Sequence, residues 1–358
     1  MTGAQRWVPW VALLVGAGVV LHFLSGVLLP FIVGAAVAYF LDPAAVRLER
    51  VGCSRTLATA LISAVFFVVA ALAVILLIPV LQAQIVDFAA NLPAYLDLGS
   101  RILHRLLAQI ESRLSTDDIG KLREALGSHA GDVLAWLGDV VTGVLSGGTA
   151  FLNLLSLIFI TPLVTFYLLR DWPRIVARVD HWLPRAHRTT IRGLLGQIDK
   201  ALAGFVRGQA LVCLVTGALY AVSLTVAGLQ FGLLIGVAVG ALTILPIIGA
   251  SIGAVVTIGF AAIQFGTWEG TAIIAAVFIV VQAIEGNLLS PKLVGDRVGL
   301  HPLWIIFALL AGGAIFGFLG VMLAVPVAAA LGVLARFAVA RYVASPYYRG
   351  HTDGGPVS

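Results

Sequence analysis

Charged residues are scarce in this chain, and their scarcity excludes an ordinary water-soluble fold. Asp, Glu, Lys and Arg make up 11% of the 358 residues, whereas 60% are hydrophobic. A typical soluble domain carries roughly 25% charged residues. A chain this apolar cannot cover its surface with polar groups, so lipid is predicted to surround much of it.

Cysteine is almost absent as well, and this excludes a disulfide framework. Cys53 lies in a polar loop and Cys213 in an apolar stretch, so both are predicted to be free thiols. The sequence also lacks two histidines four residues apart and a Gly-Lys-Ser/Thr loop, the patterns that bind zinc and phosphate. We therefore expect no metal and no cofactor.

One serine motif does not support an enzyme. Residues 249–253 (GASIG) match the Gly-x-Ser-x-Gly pattern around Ser251, but that elbow needs a strand before it and a helix after it. A serine nucleophile also needs a base, and only His22 and His301 lie near membrane depth. The chain is therefore not expected to be an enzyme.

Long apolar stretches predict an all-α, polytopic transmembrane helical bundle. A spanning helix needs roughly 20 apolar residues, because each adds about 1.5 Å against a core of about 30 Å. The stretches that meet or approach this length are 11–29, 57–78, 151–169, 209–227, 231–245, 252–265, 271–289 and 303–337.

Proline and glycine predict broken or re-entrant helices within this bundle. Pro30 is expected to interrupt the first stretch, so that a short arm from about residue 28 to Leu41, ending at Asp42-Pro43, completes a hairpin. The stretch 303–337 is too long for one helix, and Gly312-Gly313 is expected to break it into a second hairpin.

Two segments are too polar to lie in the bilayer. Residues 82–148 carry five basic and eight acidic residues, and apolar residues recur in it at helical spacing, which predicts an amphipathic extramembrane segment with turns or helix starts at 91–93 and 115–118. Residues 170–207 carry eight basic and three acidic residues. A solvated helical segment is the plain interpretation, and a lipid-headgroup contact is the alternative.

The basic loops define the topology. Loop 42–56 and segment 170–207 are arginine-rich and should face the cytoplasm, which leaves 82–148 on the other side of a bacterial inner membrane. Four regions follow: 1–81 as an N-terminal hairpin with a third span, 82–148 as the extracytoplasmic segment, 149–341 as a membrane transport core, and 342–358 as a polar tail.

Glu285 is the first candidate for a functional residue. It follows a purely apolar run and shares a helix face with Gln282, and Asn287 comes shortly after. An ionisable residue at membrane depth is costly and is a functional candidate by default. The alternative is a structural ion pair between Glu285 and Lys292 or Arg207. Arg207 and Gln209, at the beginning of another span, are also candidates for either a functional or a structural role.

Broken helices supply two further candidates, Pro246 and Gly249. Proline frees backbone carbonyls, usually where a helix is broken or lines a cavity. Pro246 and Pro326 each follow a similar run, at 231–237 (FGLLIGV) and 316–321 (FGFLGV), and paired interrupted segments point to transporter binding sites. Glycines also recur at every fourth position, as in Gly232, Gly236 and Gly240, which predicts close helix packing or a substrate path.

Six motifs occur in an order that resembles the autoinducer-2 exporter (AI-2E) family, also described as PerM-like permeases. They are residues 166–173 (FYLLRDWP), 206–209 (VRGQ), 245–249 (LPIIG), 285–295 (EGNLLSPKLVG), 300–302 (LHP), and 317–320 (GFLG) with Pro326. The resemblance covers about residues 20–340, and the stretch 285–295 carries most of its weight.

The resemblance implies an α-helical transporter with seven or eight spans and a large extracytoplasmic helical segment. It also implies a homo-oligomer, with a pentamer as one candidate, whose partners are membrane lipid and a small polar solute or cation, and no nucleic acid. Some members are assigned export of autoinducer-2 and others cation/proton antiport. Because this chain has few acidic residues in its spans, export of an autoinducer-2-like solute is preferred.

Two alternatives remain at the level of the sequence. A Na⁺(Li⁺)/H⁺ antiporter would give salt-sensitive growth on deletion of the gene. A non-transporting membrane scaffold would recruit a partner through segment 82–148.

The native thiol Cys53 tests the topology directly. We expect a membrane-impermeant maleimide to label Cys53 in inverted vesicles and not in intact cells, because loop 42–56 is predicted to be cytoplasmic. Ser128→Cys in a Cys53→Ser background should show the opposite pattern, and Cys213 is the internal control that stays unlabelled in both. Labelling of Cys53 and Ser128→Cys from the same side would contradict the topology.

Overall fold

Every regular element that the structure describes is helical. The structure is a computed structural model, and it describes residues 25–111, 148–294 and 299–349. Its helices are α1 (Ser25–Arg50), α2 (Arg55–Glu111), α3 (Gly148–Trp182), α4 (Arg188–Val226), α5 (Gly232–Leu242), α6 (Ile248–Phe265), α7 (Trp268–Ile284), α8 (Pro302–Val343) and α9 (Pro346–Arg349). A 3₁₀ turn, Arg185–His187, precedes α4, and a π-helix, Glu285–Val294, follows α7. The all-α prediction is confirmed.

Six helical stretches in the described ranges are long and apolar enough to cross a membrane. They are Leu28–Arg50, Arg55–Phe88, Arg185–Val226, Ile248–Phe265, Trp268–Val294 and Pro302–Val343. The predicted span 151–169 lies within α3, and α5 is a shorter apolar helix. The chain is therefore a multi-pass membrane protein. Residues 11–24 of the first predicted span, and the turn predicted at 115–118, lie outside the described residues.

The chain forms two compact units. The first comprises Met1–Ser63, Ile160–Val212 and Asn287–Ser358, and the second comprises Ala64–Phe159 and Cys213–Gly286.

Proline does not end the helices where the sequence predicted. Pro30 and Pro43 both lie inside α1, so the predicted break at Pro30 is wrong, and α2 continues through the turn predicted at 91–93. A membrane helix tolerates proline when neighbouring groups bond the backbone that it disturbs. Pro43 shows such compensation directly, because a side chain of another helix bonds the carbonyl that this proline leaves free.

Two arginines of the first unit bond carbonyl groups that prolines leave free. A proline has no N–H, so the carbonyl four residues before it loses its helical donor. Pro43 frees Tyr39 O in this way, and Arg207 Nε donates to that oxygen at 2.8 Å. Pro173 frees Leu169 O, which accepts from Arg55 Nε at 3.1 Å and from Arg55 Nη2 at 2.6 Å.

One carboxylate contacts both of these arginines. Asp42 lies 3.1 Å from Arg55 Nη2 and 3.7 Å from Arg207 Nη2. Glu49 accepts from Arg55 at 3.0 Å, and the Tyr39 hydroxyl donates to Asp199 at 3.0 Å. The polar cluster therefore ties α1, α2, α3 and α4 together within the first unit.

The basic segment 170–207 folds as an elbow between α3 and α4. Asp180, near the end of α3, accepts hydrogen bonds from Arg192 and Arg188 at the start of α4. The bonds from Arg192 and then Arg188 hold the pKa of Asp180 well below its usual range. The elbow is helical on both sides, as the sequence predicted.

Small residues allow close helix packing in the second unit. A Cβ on Gly236 or Gly240 would fall on the backbone of Ala221 or Gly217, both on α4. The packing interpretation of this glycine series is therefore the one that the structure supports. The same unit buries an aromatic cluster, in which Phe231 lies 5.2 Å from Phe260 between ring centroids.

Helix α8 is a hairpin, as predicted, but its break lies elsewhere. Gly317 has φ 60° and ψ −141°, a conformation that essentially only glycine adopts. The chain reverses there, since a Cβ on Gly312 would lie 2.5 Å from Gly320 O. The predicted break at Gly312-Gly313 is therefore wrong, and these small residues serve the packing of the two arms.

The structure does not support an internal repeat that relates the similar runs 231–237 and 316–321. The run 231–237 begins α5, and Pro246 lies in the turn that follows it. The run 316–321 instead forms the tip of the α8 hairpin, and Pro326 lies inside its second arm. The two runs hold different positions in their hairpins, so the sequence similarity does not mark structurally equivalent segments.

The bond from Arg55 to the carbonyl freed by Pro173 can be tested by a double-mutant cycle. Arg55→Met should lower the free energy of unfolding in detergent by about 2–3 kcal/mol, because Leu169 O, Asp42 and Glu49 lose their donor. In a Pro173→Ala background this loss should shrink by about 1 kcal/mol, because the substitution restores a helical N–H as donor to Leu169 O.

Pro162 provides the matched control for this cycle. It lies in the same helix but frees a different carbonyl, so Arg55→Met and Pro162→Ala should be additive. Equal coupling of Arg55 to Pro162 and to Pro173 would contradict the assignment.

Candidate functional site

The most unusual backbone of the described chain lies at Glu285. The chain changes there from α7 to the ten-residue π-helix Glu285–Val294. Fewer than about 1% of residues occur in π-helices, and such turns are frequent at functional sites. This π-helix contains residues 285–294 of the motif that gave the sequence resemblance most of its weight.

Three polar side chains of the second unit form a hydrogen-bonded chain that ends at Glu285. The Tyr220 hydroxyl, on α4, donates to Gln282 Oε1 on α7 at 3.2 Å. Gln282 Nε2 in turn donates to Glu285 Oε2 at 2.9 Å. The tyrosine therefore fixes the orientation of the amide, and the amide presents an N–H to the carboxylate.

The first member of this chain is rigidly held. Tyr220 is fully buried, and its ring stacks on Phe278 with the centroids 5.0 Å apart. It belongs to an apolar core that includes Leu224, Ile235 and Val239. Gln282 and Glu285 are half-buried, so the polar chain runs from the core towards an accessible face.

A groove of about 410 Å³ opens beside Gln282. Its lining residues come from α6 and α7 and are Ala254, Ile258, Phe278, Ile279, Gln282 and Ala283. The walls are apolar, and Gln282 is the one polar side chain among these lining residues. A small ligand pocket typically combines apolar walls with a few placed polar groups, and its volume is about 300–1,000 Å³.

The ion pair considered for Glu285 is not formed. The ion pairs of residues 25–111, 148–294 and 299–349 do not include Glu285, which is bonded to Gln282 instead. Arg207 belongs to the first unit, where its partners are Asp42 and the Tyr39 carbonyl. Lys292 is exposed on the π-helix.

Arg207 and Gln209 flank a close contact with the π-helix inside the first unit. A Cβ on Gly208 would lie 2.8 Å from the carbonyl carbon of Leu293 and 2.9 Å from the Cα of Val294. Only glycine therefore allows α4 to approach this backbone. Asn287 and Lys292 lie exposed on the same π-helix, and Gln209 is buried.

Pro246 and Gly249 shape the turn between α5 and α6 in the second unit. Ile247, between them, has φ 72°, a strained value for a β-branched residue. A Cβ on Gly249 would lie 2.8 Å from Thr243 N, so glycine is required for the close return of the chain. These two residues act on the backbone, and neither lines the groove at Gln282.

The predicted residues therefore divide between the two units. Gln282, Glu285, Pro246 and Gly249 belong to the second unit, and Arg207, Gln209, Asn287 and Lys292 belong to the first. A direct hydrogen bond joins Gln282 and Glu285.

Tyr220 is the member of the polar chain that the sequence analysis missed. Its signal was present, because it is the only tyrosine in the apolar stretch 209–227. A buried tyrosine usually finds a hydrogen-bond partner for its hydroxyl, so its presence should have prompted a search for one. The described residues contain no cluster of three His, Cys, Asp or Glu side chains suited to a metal ion.

Comparison with known proteins decides the family. The family model described as AI-2E family transporter matches residues 11–339. The chain belongs to the AI-2E family. The suspected resemblance is thereby confirmed, and the chain is a membrane transporter of the permease type.

Several relatives of this AI-2E chain span most of its length. PerM of Escherichia coli (strain K12) is 31% identical over 323 residues, 89% of each chain. YrrI of Bacillus subtilis (strain 168) is 30% identical over 309 residues, 86% of this chain and 85% of the relative. The AI-2 transport protein TqsA of Escherichia coli (strain K12) is 22% identical over 312 residues, 86% of this chain and 84% of the relative.

The buried bond of Tyr220 can be tested by removing its hydroxyl alone. Tyr220→Phe should lower the free energy of unfolding in detergent by about 1–2 kcal/mol, because Gln282 Oε1 loses a buried donor while the ring packing is kept. Tyr95→Phe is the matched control, since its bond to Gln230 is exposed and should contribute about 0.5 kcal/mol or less. Equal losses in the two variants would show that Tyr220 acts through its ring alone.

Proposed function

We propose that this AI-2E protein exports a small hydroxylated solute, with an autoinducer-2-like molecule as the specific candidate. The observation that carries the proposal is the chain from Tyr220 through Gln282 to Glu285, which meets an apolar groove at Gln282. The name of one relative, the AI-2 transport protein TqsA, supports the specific solute. A bacterial inner membrane and a homo-oligomeric assembly are parts of the same proposal.

The hydrogen-bond donors and acceptors that the polar chain leaves unused are suited to hydroxyl groups of a solute. Gln282 uses one amide N–H on Glu285, and a second N–H remains on the same nitrogen. Glu285 accepts the bond from Gln282 on Oε2, and a carboxylate has about four acceptor positions. A solute with adjacent hydroxyl groups can donate to the carboxylate and accept from the amide at once.

Two buried hydroxyls of the second unit are left for water or solute. Thr216 lies four residues before Tyr220 on α4 and thus shares its helix face. Thr216 and Thr257 are fully buried, and neither hydroxyl has a partner in the part of the chain that the structure describes. Buried polar groups are normally bonded, so unpaired hydroxyls in a transporter support a polar path through the unit.

Efflux of labelled solute tests the proposal. Cells that carry the gene should release preloaded, isotope-labelled autoinducer-2 faster than cells without it. Glu285→Gln should reduce this release at least tenfold, because it removes the carboxylate that accepts solute hydroxyls or a coupling proton, a change worth more than about 1.4 kcal/mol.

Glu269→Gln is the matched control for this variant. Glu269 lies on the same helix, α7, but is exposed in its first turn, so its loss should leave efflux unchanged. Both variants should be inserted and monodisperse in detergent. Equal release from cells with and without the gene would exclude export of this solute. Normal release by Glu285→Gln would remove Glu285 from the mechanism.

A further inference from the structure

The two arms of the α8 hairpin line a cavity in which the polar chain at Glu285 has no part. This cavity has a volume of about 840 Å³ and belongs to the first unit. Its walls come from both arms of the hairpin, with Leu28 of α1 as the single contribution from another helix. We call it the hairpin groove.

The hairpin groove exists because small side chains leave a gap between the two arms. The two arms touch near the tip, at Gly312 and Gly320, and near the base, where a Cβ on Gly332 would lie 2.7 Å from Leu300 Cδ2. Between these contacts the second arm contributes Ala324 and Ala328, which cannot fill the gap. Trp304 and Phe307 line the groove and are more than 60% exposed, so its side is open.

The polar character of the groove is concentrated at its base and is cationic. Arg336 and His301 lie there beside Gly299, and the lining residues include no acidic side chain. In the described residues the guanidinium of Arg336 makes one hydrogen bond, from Nη1 to Gly299 O at 3.0 Å. A guanidinium has five N–H donors, so four remain for an anion.

The groove is long enough to hold one acyl chain of a lipid. Fifteen residues separate His301 at the base from Phe316 near the tip, which corresponds to about 22 Å of helix. One leaflet of the hydrocarbon core is about 15 Å thick, half of the full core. A chain that enters beside Arg336 therefore has apolar walls over its whole length.

We propose that the hairpin groove binds an anionic phospholipid, with an acyl chain between the arms and the phosphate at Arg336. An apolar channel with a single cationic end selects an amphiphile with a negative head, because a zwitterionic head would also bring its ammonium group towards the guanidinium. Arginine is suited to this role, since its planar donors match phosphate oxygens. Anionic lipids also give the cytoplasmic leaflet a negative surface potential, which attracts basic residues.

Retention of lipid by the purified protein tests this assignment. The full chain is placed in nanodiscs with equal amounts of phosphatidylglycerol and phosphatidylcholine of the same acyl composition, extracted mildly, and its bound lipid is counted by mass spectrometry. Wild type should retain phosphatidylglycerol in preference. Arg336→Gln should retain about fivefold less of it, as expected for the loss of one basic contact.

Arg341→Gln is the matched control. Arg341 lies five residues further along the same arm and does not line the groove, so its loss should leave retention unchanged. Equal effects of the two variants, or equal retention of both lipids by wild type, would overturn the proposal.

A second variant tests the acyl chain independently of the charge. Ala328→Trp fills the groove and should abolish labelling of the hairpin by a phosphatidylglycerol that carries a photoreactive group on its acyl chain, while Ala340→Trp, outside the groove, should not. Unchanged labelling in Ala328→Trp would overturn the proposal. So would a disulfide between two copies at Ala328→Cys, because a second copy would then occupy the groove.

Discussion

A backbone polar group that is buried away from water must find a partner within the protein, and this requirement governs the chain more than any single side-chain contact. A long helix satisfies it without help until a proline removes one donor. The first unit meets that difficulty with arginine, whose guanidinium reaches the free carbonyl and keeps further N–H groups for carboxylates. Arg55 and Arg207 both act in this way, and Asp42 contacts both of them.

This constraint explains the composition of two of the diagnostic motifs. Pro173 ends the first motif and frees a carbonyl of that same motif, and Arg207 in the second motif bonds a carbonyl freed by Pro43. Gly208 then has no room for a side chain, because the backbone of the π-helix lies against it. Each of these motifs thus contributes a residue to such a bond. The first contributes the proline and the carbonyl that it frees, and the second contributes an arginine that bonds a freed carbonyl.

The sequence was sufficient for the helical class, for most of the apolar helices that the structure describes and for the presence of a hairpin in 303–337, because long apolar runs favour helices in a bilayer. It misplaced the breaks. Pro30 was expected to interrupt a helix that continues through it. Gly312-Gly313 was expected to form the turn that Gly317 forms. In the sequence, a glycine that packs against another helix looks the same as a glycine that turns the chain, and the positive φ that distinguishes the turn is visible only in the structure.

The candidate site shows the same division between local and distant information. Glu285 stood out by its position beside an apolar run, and the pair with Gln282 follows from helical spacing alone. The contribution of Tyr220 depends on how α4 packs against α7, which spacing along either helix does not reveal. The π-helix was also invisible, since its i→i+5 bonds require no residue pattern of their own.

The π-helix gives the polar chain a property that an ordinary helix would not provide. Gln282 and Glu285 are held at the last α-helical turn, where Tyr220 fixes them, whereas Asn287 and Lys292 lie on a backbone with a different hydrogen-bond register. A change of that register from i→i+5 to i→i+4 rotates every later residue relative to α7 and leaves Gln282 in place. The position of Gln282 is therefore set by Tyr220 on α4 and by its own turn of α7, and it does not depend on the register of the backbone that follows.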